Sequence, residues 1–209
     1  MRLRGLYAIT PEGLGTDTLV AAVRRALDGG AALLQYRNKA AGAELRREQA
    51  LALLALSRKH NVPLIVNDDV ELAASIDADG VHVGRDDGRV AAARLRLRGK
   101  LLGASCYASL ERAREAVADG ADYVAFGSVF LSTTKPQVVR APLALFSQAR
   151  ALGVPLVAIG GITIANAAEA VGAGADAIAV IADLFGAPDI RSRAAEFARL
   201  YADSPAISP

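Results

Sequence analysis

The chain has 209 residues, of which 53% are apolar but only 5% are aromatic. A core built mainly from Ala, Val, Leu and Ile is typical of buried parallel strands covered by helices. Lys and Arg total 24 against 22 Asp and Glu, and this net charge of +2 argues against a non-specific nucleic-acid binder. The single cysteine, Cys106, excludes an intramolecular disulfide and a multi-cysteine zinc site.

The apolar runs of the chain are short. The first residues, MRLRGLYAIT, lack the long apolar run of a signal peptide. No stretch approaches the roughly 18 uninterrupted apolar residues that a membrane-spanning helix needs. We therefore expect a cytoplasmic protein with neither a membrane nor a nucleic-acid partner, and the sequence leaves open whether it forms a homo-oligomer.

Short apolar runs alternate with amphipathic, Ala-rich segments along the whole chain. Residues 17–30 and 43–60 carry apolar side chains at helical spacing. Such alternation predicts a parallel sheet, and eight similar units without an insertion favour a closed (β/α)8 barrel, or TIM barrel, over an open doubly wound sheet. The eight predicted strands are 6–10, 33–37, 63–68, 80–84, 101–106, 123–129, 155–160 and 177–182.

One domain is predicted over residues 1–201, because neither a linker nor a change of composition divides the chain. The polar tail 202–209 is expected to be disordered. Glycine-containing segments follow four of the predicted helices, where Gly suits the left-handed conformation of a helix C-cap. These segments are 28–31, 78–80, 119–122 and 172–176.

In a TIM barrel the functional site lies at the carboxyl ends of the strands. The second strand ends in the sequence QYRNK, residues 35–39. Because side chains alternate along an extended strand, Gln35, Arg37 and Lys39 share one side if the extended geometry continues. An amide, a guanidinium and an ammonium group at the barrel mouth predict a surface that binds anions.

The third and fourth strands each end in two acidic residues, and neighbouring strands lie about 4.8 Å apart. Carboxylates at adjacent strand ends, together with a substrate phosphate, are a common way to hold Mg²⁺. Asp is also a frequent helix N-cap, so one acid of each pair can cap a helix while the other binds the metal. We predict Asp68 and Asp87 as metal ligands, and Asp69 and Asp86 as capping or solvent-facing residues.

The remaining strand ends carry hydroxyl groups and glycines. A serine ends the fifth strand, and three hydroxyl residues followed by a lysine make the segment after the sixth strand suitable for phosphate oxygens. Glycines after the seventh strand, beside a short segment after the eighth, match the phosphate site common in these barrels. The residues selected in this way are Ser105, Ser132, Thr133, Thr134, Lys135, Gly161, Ile181 and Ala182.

The predicted mouth therefore has two zones that bind anions. One combines cationic and amide side chains with the acid pair and suits a magnesium–diphosphate group. The other, formed by the sixth to eighth strands, suits a monophosphate. Two phosphorylated ligands side by side imply a transfer between them. The sequence contains no recognisable Ser-His-Asp set that would indicate a different chemistry. The first zone consists of Arg37, Lys39, Asn67 and Lys135 with Asp68 and Asp87.

Six motifs occur in the order QYRNK, IVNDD, GVHVGRDDG, GAS, STTKP and AIGGIT. Over roughly residues 5–200, this combination resembles the thiamine-phosphate synthase family. Enzymes of that family join hydroxymethylpyrimidine diphosphate to a thiazole phosphate and release diphosphate. The resemblance implies a magnesium-dependent transferase of thiamine biosynthesis, acting on these two small molecules.

The resemblance also implies roles for individual residues. Gln35 would contact the pyrimidine, Ser105 would be another substrate contact, and Asp68 and Asp87 would bind Mg²⁺. The diphosphate would be held by Arg37, Lys39, Asn67 and Lys135, and the catalytic groups would be Arg37, Lys39, Lys135 and Ser105. The thiazole phosphate would be bound by Ser132, Thr134, Gly161 and the backbone at Ile181 and Ala182, with Thr133 in the same loop.

The chain departs from the usual family pattern at a few positions. Ser132 stands where Thr is usual, which retains the hydroxyl group. Ala182 stands where Ser is common, which leaves only the backbone N–H for the phosphate. Arg85 and Asp86 replace the usual Gln-Glu before the second predicted metal ligand.

Three alternative functions remain at this stage. A thiazole tautomerase-like isomerase shares the barrel, but such enzymes typically lack the QxRxK motif and the Asn-Asp pair, both present here. A non-catalytic phosphate-binding barrel is disfavoured by the intact Asp68, Asp87 and Lys135. A sugar-phosphate isomerase would leave the acid pair unexplained. His82 is expected to be a packed residue, and Cys106 is not expected to be an activated thiol.

Overall fold

The computed structural model describes residues 3–84, 90–130 and 140–202. Eight parallel strands pair in sequence order, and β8 pairs with β1, so the sheet closes into a barrel. The predicted (β/α)8 barrel is confirmed, and each predicted strand agrees with the structure to within two residues at either end. The strands are β1 Gly5–Ile9, β2 Leu33–Tyr36, β3 Leu64–Asn67, β4 Gly80–Val83, β5 Leu101–Tyr107, β6 Tyr123–Gly127, β7 Leu156–Ile159 and β8 Ala177–Val180.

Helices follow the strands and cover the outside of the barrel. None of the described helices is long and apolar enough to cross a membrane. The last helix ends at Ala202, and residues 203–209 lie outside the described part of the chain, so the division into one domain and a tail stays a prediction. The helices are α1 Thr16–Asp28, α2 Ala43–His60, α3 Val70–Ser75, α4 Val90–Arg96, α5 Leu110–Ala118, α6 Ala144–Ala149, α7 Ala167–Gly172, α8 Ala182–Phe185 and α9 Ile190–Ala202, and a 3₁₀ turn, Arg150–Leu152, follows α6.

The strands separate two apolar layers. Alternate residues of each strand pack outward against the helices or inward into the barrel, as the two-residue period of a strand requires. Inside the barrel, apolar residues such as Ile65 and Val157 surround two buried tyrosines, Tyr7 and Tyr123. The barrel is therefore filled by side chains and not open as a pore.

Three of the four predicted glycine caps are confirmed. Gly30, Gly120 and Gly174 have φ angles of 96°, 98° and 108° directly after α1, α5 and α7. At the fourth link the prediction is wrong, because Gly80 lies within β4 and the left-handed residue after α3 is Asp77, with φ 56°. A Cβ atom on Gly80 would lie 2.2 Å from the Leu101 carbonyl oxygen, so glycine is required there by the close approach of two strands.

Three aspartates tie neighbouring strands together at the amino-terminal face of the barrel. Asp79, Asp122 and Asp176 directly precede β4, β6 and β8. Each carboxylate accepts a hydrogen bond from a backbone N–H near the start of the preceding strand, at 2.8, 2.8 and 2.9 Å respectively. Because this face is opposite to the substrate face of a TIM barrel, we assign these contacts to stability.

Replacing Asp176 with Ala is expected to lower the free energy of unfolding by about 2 kcal/mol, which corresponds to a melting temperature roughly 4–8 °C lower. The change removes the acceptor of the Leu156 N–H and the partner of Arg150, whose Nη1 lies 3.0 Å from Asp176 Oδ2. Thermal unfolding followed by circular dichroism measures this shift. Glu71→Ala is the control, since Glu71 pairs with Arg96 in a highly exposed position and should cost much less. Equal shifts for both variants would contradict the prediction.

Candidate active site

Thr10 holds the backbone at the end of β2. The Arg37 N–H donates to Thr10 Oγ1 at 2.8 Å, and the Thr10 hydroxyl donates to the Arg37 carbonyl oxygen at 3.0 Å. The Thr10 N–H also donates to the Gln35 carbonyl oxygen at 2.9 Å, and Thr10 is 1% exposed. The start of the predicted anion-binding segment is therefore fixed by a residue that follows the neighbouring strand β1.

Glu12 contacts both basic residues of this segment, the side chain of Arg37 and the backbone of Lys39. Its Oε1 lies 2.5 Å from Arg37 Nη1 and accepts a hydrogen bond from the Lys39 backbone N–H at 3.1 Å. The carboxylate thus orients the Arg37 guanidinium and holds the turn that carries Lys39. The sequence analysis did not select Thr10 or Glu12, although their position just after β1 could have indicated them.

Lys39 meets Asp68 at the ends of β2 and β3. Lys39 Nζ lies 2.6 Å from Asp68 Oδ2, and the side chain of Asp68 is only 19% exposed. Lys39, Asn67 and Asp68 line one cleft of ≈ 320 Å³, together with Asn38 and Arg46. Three of the predicted diphosphate- and metal-binding residues therefore lie together, as the sequence analysis required.

The backbone of Asp68 adopts the left-handed conformation, with φ 64°. Asp tolerates this conformation better than most residues, and such geometry concentrates at functional sites. The Asp68 N–H donates to the His82 carbonyl oxygen of β4 at 2.8 Å, which continues the pairing of Asn67 with His82 beyond the end of β3. The neighbouring strand thus fixes the backbone of Asp68, from which the carboxylate projects.

Asp69 performs the capping role that the sequence predicts. It is the N-cap of α3, and its Oδ1 accepts a hydrogen bond from the Leu72 N–H at 2.9 Å. Its other oxygen lies 3.5 Å from Arg46 Nη1. Arg46, on α2, is a further cation beside the cleft that the sequence analysis did not select.

The predicted metal site is only partly within the described residues. Asp68 is described, whereas Asp86 and Asp87 lie outside the described ranges. Among residues 3–84, 90–130 and 140–202, no group of three or more His, Cys, Asp or Glu is placed to hold a metal ion. One half-buried carboxylate is consistent with Mg²⁺, which commonly takes only one or two protein carboxylates and completes its shell with phosphate and water.

A chain of hydrogen bonds crosses the barrel interior beneath the mouth. Gln35 Nε2 donates to the Tyr7 hydroxyl at 2.7 Å, and the hydroxyls of Tyr7 and Tyr123 are 2.8 Å apart. His82 Nδ1 lies 3.2 Å from the Tyr123 hydroxyl, and His82 Nε2 lies 2.8 Å from Ser105 Oγ. Gln35, predicted to contact the pyrimidine, and Ser105, predicted as a further substrate contact, are thus the two ends of one chain of hydrogen-bonded side chains. We call this chain, Gln35–Tyr7–Tyr123–His82–Ser105, the interior relay.

The titratable members of the relay are neutral at neutral pH. Burial lowers the pKa of His82 to about 4, and the nearby Asp68 carboxylate opposes this shift only in part. Burial raises the pKa of both Tyr7 and Tyr123 far above the usual value of a phenol. His82 is 7% exposed, which confirms the expectation of a packed residue and adds a contact with Ser105.

A β-bulge interrupts β5 directly after Ser105. Ser105 pairs with Ala125 and Tyr107 pairs with Phe126, so Cys106 is the extra residue of the bulge. Cys106 is 1% exposed and packs in the layer between strands and helices. Burial raises the pKa of its thiol to about 12, which confirms that it is not an activated thiol.

The ends of β7 and β8 carry the predicted monophosphate zone. Gly160 and Gly161 both have positive φ angles, of 99° and 68°. The strands pair at Ile159 and Ala179, so Gly161 and Ile181 follow at adjacent strand ends. Helix α8 begins at Ala182, and its N-cap, Ile181, provides no side-chain oxygen for the N–H groups of the first turn. This arrangement suits an anion bound by backbone N–H groups.

Five predicted site residues cannot be compared with the structure. They lie in the ranges 85–89 and 131–139, outside the described residues. Their roles stay predictions. They are Asp87, Ser132, Thr133, Thr134 and Lys135.

The closed barrel defines the fold of the chain as a TIM barrel, a class in which enzyme sites lie at the carboxyl-terminal face. The model of the thiamine monophosphate synthase family matches residues 6–184. The chain belongs to that family.

Individual relatives agree with this assignment. The chain is 56% identical over 200 residues to the thiamine-phosphate synthase of Methylobacillus flagellatus, covering 95% of this chain and 96% of the relative. It is 57% identical to that of Chromobacterium violaceum, over 92% and 94% of the two chains. The solved structure of thiamine phosphate pyrophosphorylase from Pyrococcus furiosus superimposes with a TM-score of 0.86 at 36% identity, over 97% of each chain. The predicted family and transferase class are confirmed.

Proposed function

We propose that this protein joins hydroxymethylpyrimidine diphosphate to a thiazole phosphate, forming thiamine phosphate and releasing diphosphate. The observation that carries the proposal is the cleft shared by Lys39, Asn67 and Asp68, which also contains Arg46. Cations, an amide and a carboxylate at two adjacent strand ends are the groups that a metal–diphosphate requires. The thiamine-phosphate synthases at 56% and 57% identity support the same reaction.

The proposed reaction proceeds by departure of the diphosphate before the new bond forms. The bond between the pyrimidine methylene carbon and the diphosphate oxygen breaks, and its electron pair leaves with the diphosphate. The thiazole nitrogen then donates its electron pair to the methylene carbon. No side chain has to act as a nucleophile, and the protein contributes positive charge where negative charge grows, through Arg37, Lys39 and Lys135.

Asp68 and Asp87 would hold a Mg²⁺ ion in the proposed site. When bound, the ion supplies positive charge that neutralises the departing diphosphate. Lys39, which lies 2.6 Å from Asp68, would contact the same diphosphate, and Asn67 would donate a hydrogen bond from its amide.

The second substrate would bind at the ends of β6, β7 and β8. Gln35 and Ser105 would hold the pyrimidine ring between the two phosphate zones. Two anchored phosphates would align the reacting carbon and nitrogen, and such alignment lowers the entropic part of the barrier. The thiazole phosphate would be bound by Ser132, Thr133, Thr134, Gly161, Ile181 and Ala182.

Diphosphate release tests the proposal. The purified protein is incubated with both substrates, with each substrate alone, and with both in the presence of EDTA. We expect diphosphate and thiamine phosphate in equal amounts only when both substrates and Mg²⁺ are present. Isomerisation of the thiazole phosphate without the pyrimidine substrate would instead support a tautomerase, and turnover unaffected by EDTA would contradict the magnesium part of the proposal. The cytoplasmic location and the oligomeric state stay predictions.

A further inference from the structure

The interior relay joins side chains from five strands within the barrel core. Its members come from β1, β2, β4, β5 and β6, so their separations are set by the closed sheet. Four hydrogen bonds of 2.7–3.2 Å connect them. Ser105 is partly buried, whereas Gln35, Tyr7, Tyr123 and His82 are all at most 7% exposed. The Ser105 end of the relay therefore reaches the barrel mouth.

The hydrogen bonds of the relay must run in one direction. A neutral phenol carries a single hydrogen, so it donates to one neighbour only. The Tyr7 oxygen accepts from the Gln35 amide nitrogen, and among the described residues the Tyr123 oxygen is the other partner of the Tyr7 hydroxyl. The buried Tyr7 hydrogen is therefore satisfied only if it is donated to Tyr123. Tyr123 accepts this bond, and its hydrogen is left for His82 Nδ1.

The direction of these hydrogen bonds fixes the tautomer of His82. A neutral imidazole has one N–H group, and with Nδ1 as the acceptor the hydrogen is on Nε2. This N–H donates to Ser105 Oγ, 2.8 Å away. Because Ser105 accepts from the relay, its own hydroxyl hydrogen does not point into the relay and is available to a ligand in the mouth.

We infer that Tyr7, Tyr123 and His82 are positioning residues that fix the Ser105 hydroxyl as a hydrogen-bond donor toward the substrate. The inference rests on the proposed function, in which Ser105 contacts the pyrimidine. The ring nitrogens of a pyrimidine are hydrogen-bond acceptors, so a serine locked as a donor matches the ring. A serine whose hydroxyl can rotate would spend part of its time with the wrong polarity and bind the ring more weakly.

The variant Tyr123→Phe tests the relay, because it retains the buried ring and removes only the hydroxyl. We expect the KM for the pyrimidine diphosphate to rise roughly ten-fold, the effect of about one hydrogen bond. The kcat and the KM for the thiazole phosphate should change less than about three-fold. A KM for the pyrimidine diphosphate equal to that of the wild type would overturn the inference.

Tyr201→Phe is the matched control. Tyr201, on α9, is 8% exposed, and the Arg4 guanidinium carbon lies 5.5 Å from the centre of its ring. Because Arg4 directly precedes β1, this phenol is buried at the amino-terminal end of the barrel, away from the substrate face. We expect this variant to keep both KM values. An equal rise in KM for Tyr201→Phe and Tyr123→Phe would show a general effect of removing a buried hydroxyl and would overturn the inference.

Nuclear magnetic resonance of the imidazole nitrogens tests the tautomer without substrate. The protein has two histidines, His60 and His82, so a His60→Gln variant assigns the signals. We expect His82 protonated on Nε2 in the wild type and a mixture of tautomers in Tyr123→Phe. Protonation on Nδ1 in the wild type would overturn the relay. A wild-type protein that releases no diphosphate but has His82 protonated on Nε2 would contradict the proposed function. The same result would leave the hydrogen-bond direction of the relay confirmed.

Discussion

Asp68→Asn is expected to lower kcat/KM for the condensation by roughly 10²-fold, a loss of about 3 kcal/mol of transition-state stabilisation. The Asp68 carboxylate lies in the cleft at the end of β3, 2.6 Å from Lys39 Nζ, where the proposal puts both Mg²⁺ and the diphosphate. Asn retains the size of the side chain and also tolerates the φ of 64° at this position. The fold should therefore survive, and only the negative charge is lost.

Asp69→Asn is the control for this prediction. The Asp69 side chain caps α3, and Asn caps helices about as well as Asp does. Its kcat/KM should stay within about three-fold of the wild type. Calorimetric titration with inorganic diphosphate, with and without Mg²⁺, supplies a second measurement, in which Asp68→Asn should lose the magnesium-dependent part of binding. Wild-type activity in Asp68→Asn would remove Asp68 from the proposed metal site.

The second large effect is expected for Gly103→Ala, which should lower the free energy of unfolding by about 3 kcal/mol. A Cβ atom at Gly103 would lie 2.1 Å from Tyr123 Cζ, 2.3 Å from its hydroxyl oxygen and 2.5 Å from His82 Nδ1. These separations are far below van der Waals contact, and both rings are buried in the barrel centre, so neither can move aside without disturbing β4 or β6. The added methyl group therefore has to displace the middle of the interior relay.

Thermal unfolding measures this effect, and we expect a melting temperature lower by roughly 6–12 °C. Gly172→Ala provides a matched control, because it adds the same methyl group at the end of α7, where no atom lies within 4 Å of the new Cβ. That variant should be neutral or slightly more stable, since Ala favours helix more than Gly does. A melting temperature of Gly103→Ala within a degree of the wild type would contradict the packing argument.

Much of the fold could be predicted from the sequence because its signals are local. The helix α2, Ala43–His60, coincides with the predicted amphipathic segment, and all eight strands lie where short apolar runs occur. Once the barrel is known, the carboxyl ends of its strands must lie on one face. That rule is sufficient to predict that Lys39, Asn67 and Asp68 lie close together, although they come from different strands.

The interior relay could not be predicted in this way. Tyr7 and Tyr123 are 116 residues apart, and each alone resembles an ordinary apolar strand residue. Whether their hydroxyls meet depends on strand register and on the space left by Gly103, and a shift of one residue would turn each side chain to the other side of its strand. The bulge at Cys106 is a further case, because no local turn signal marks it.

The sequence by itself therefore determined the barrel, the face that carries the site and the family to which the chain belongs. These follow from periodicity and from the order of short motifs, which depend on neighbouring residues. Only the tertiary structure decided which side chains contact and position the predicted site residues, namely Thr10, Glu12 and the buried tyrosines. Closure of the barrel brings these residues together across long stretches of chain, and their contacts depend on distances that sequence spacing does not specify.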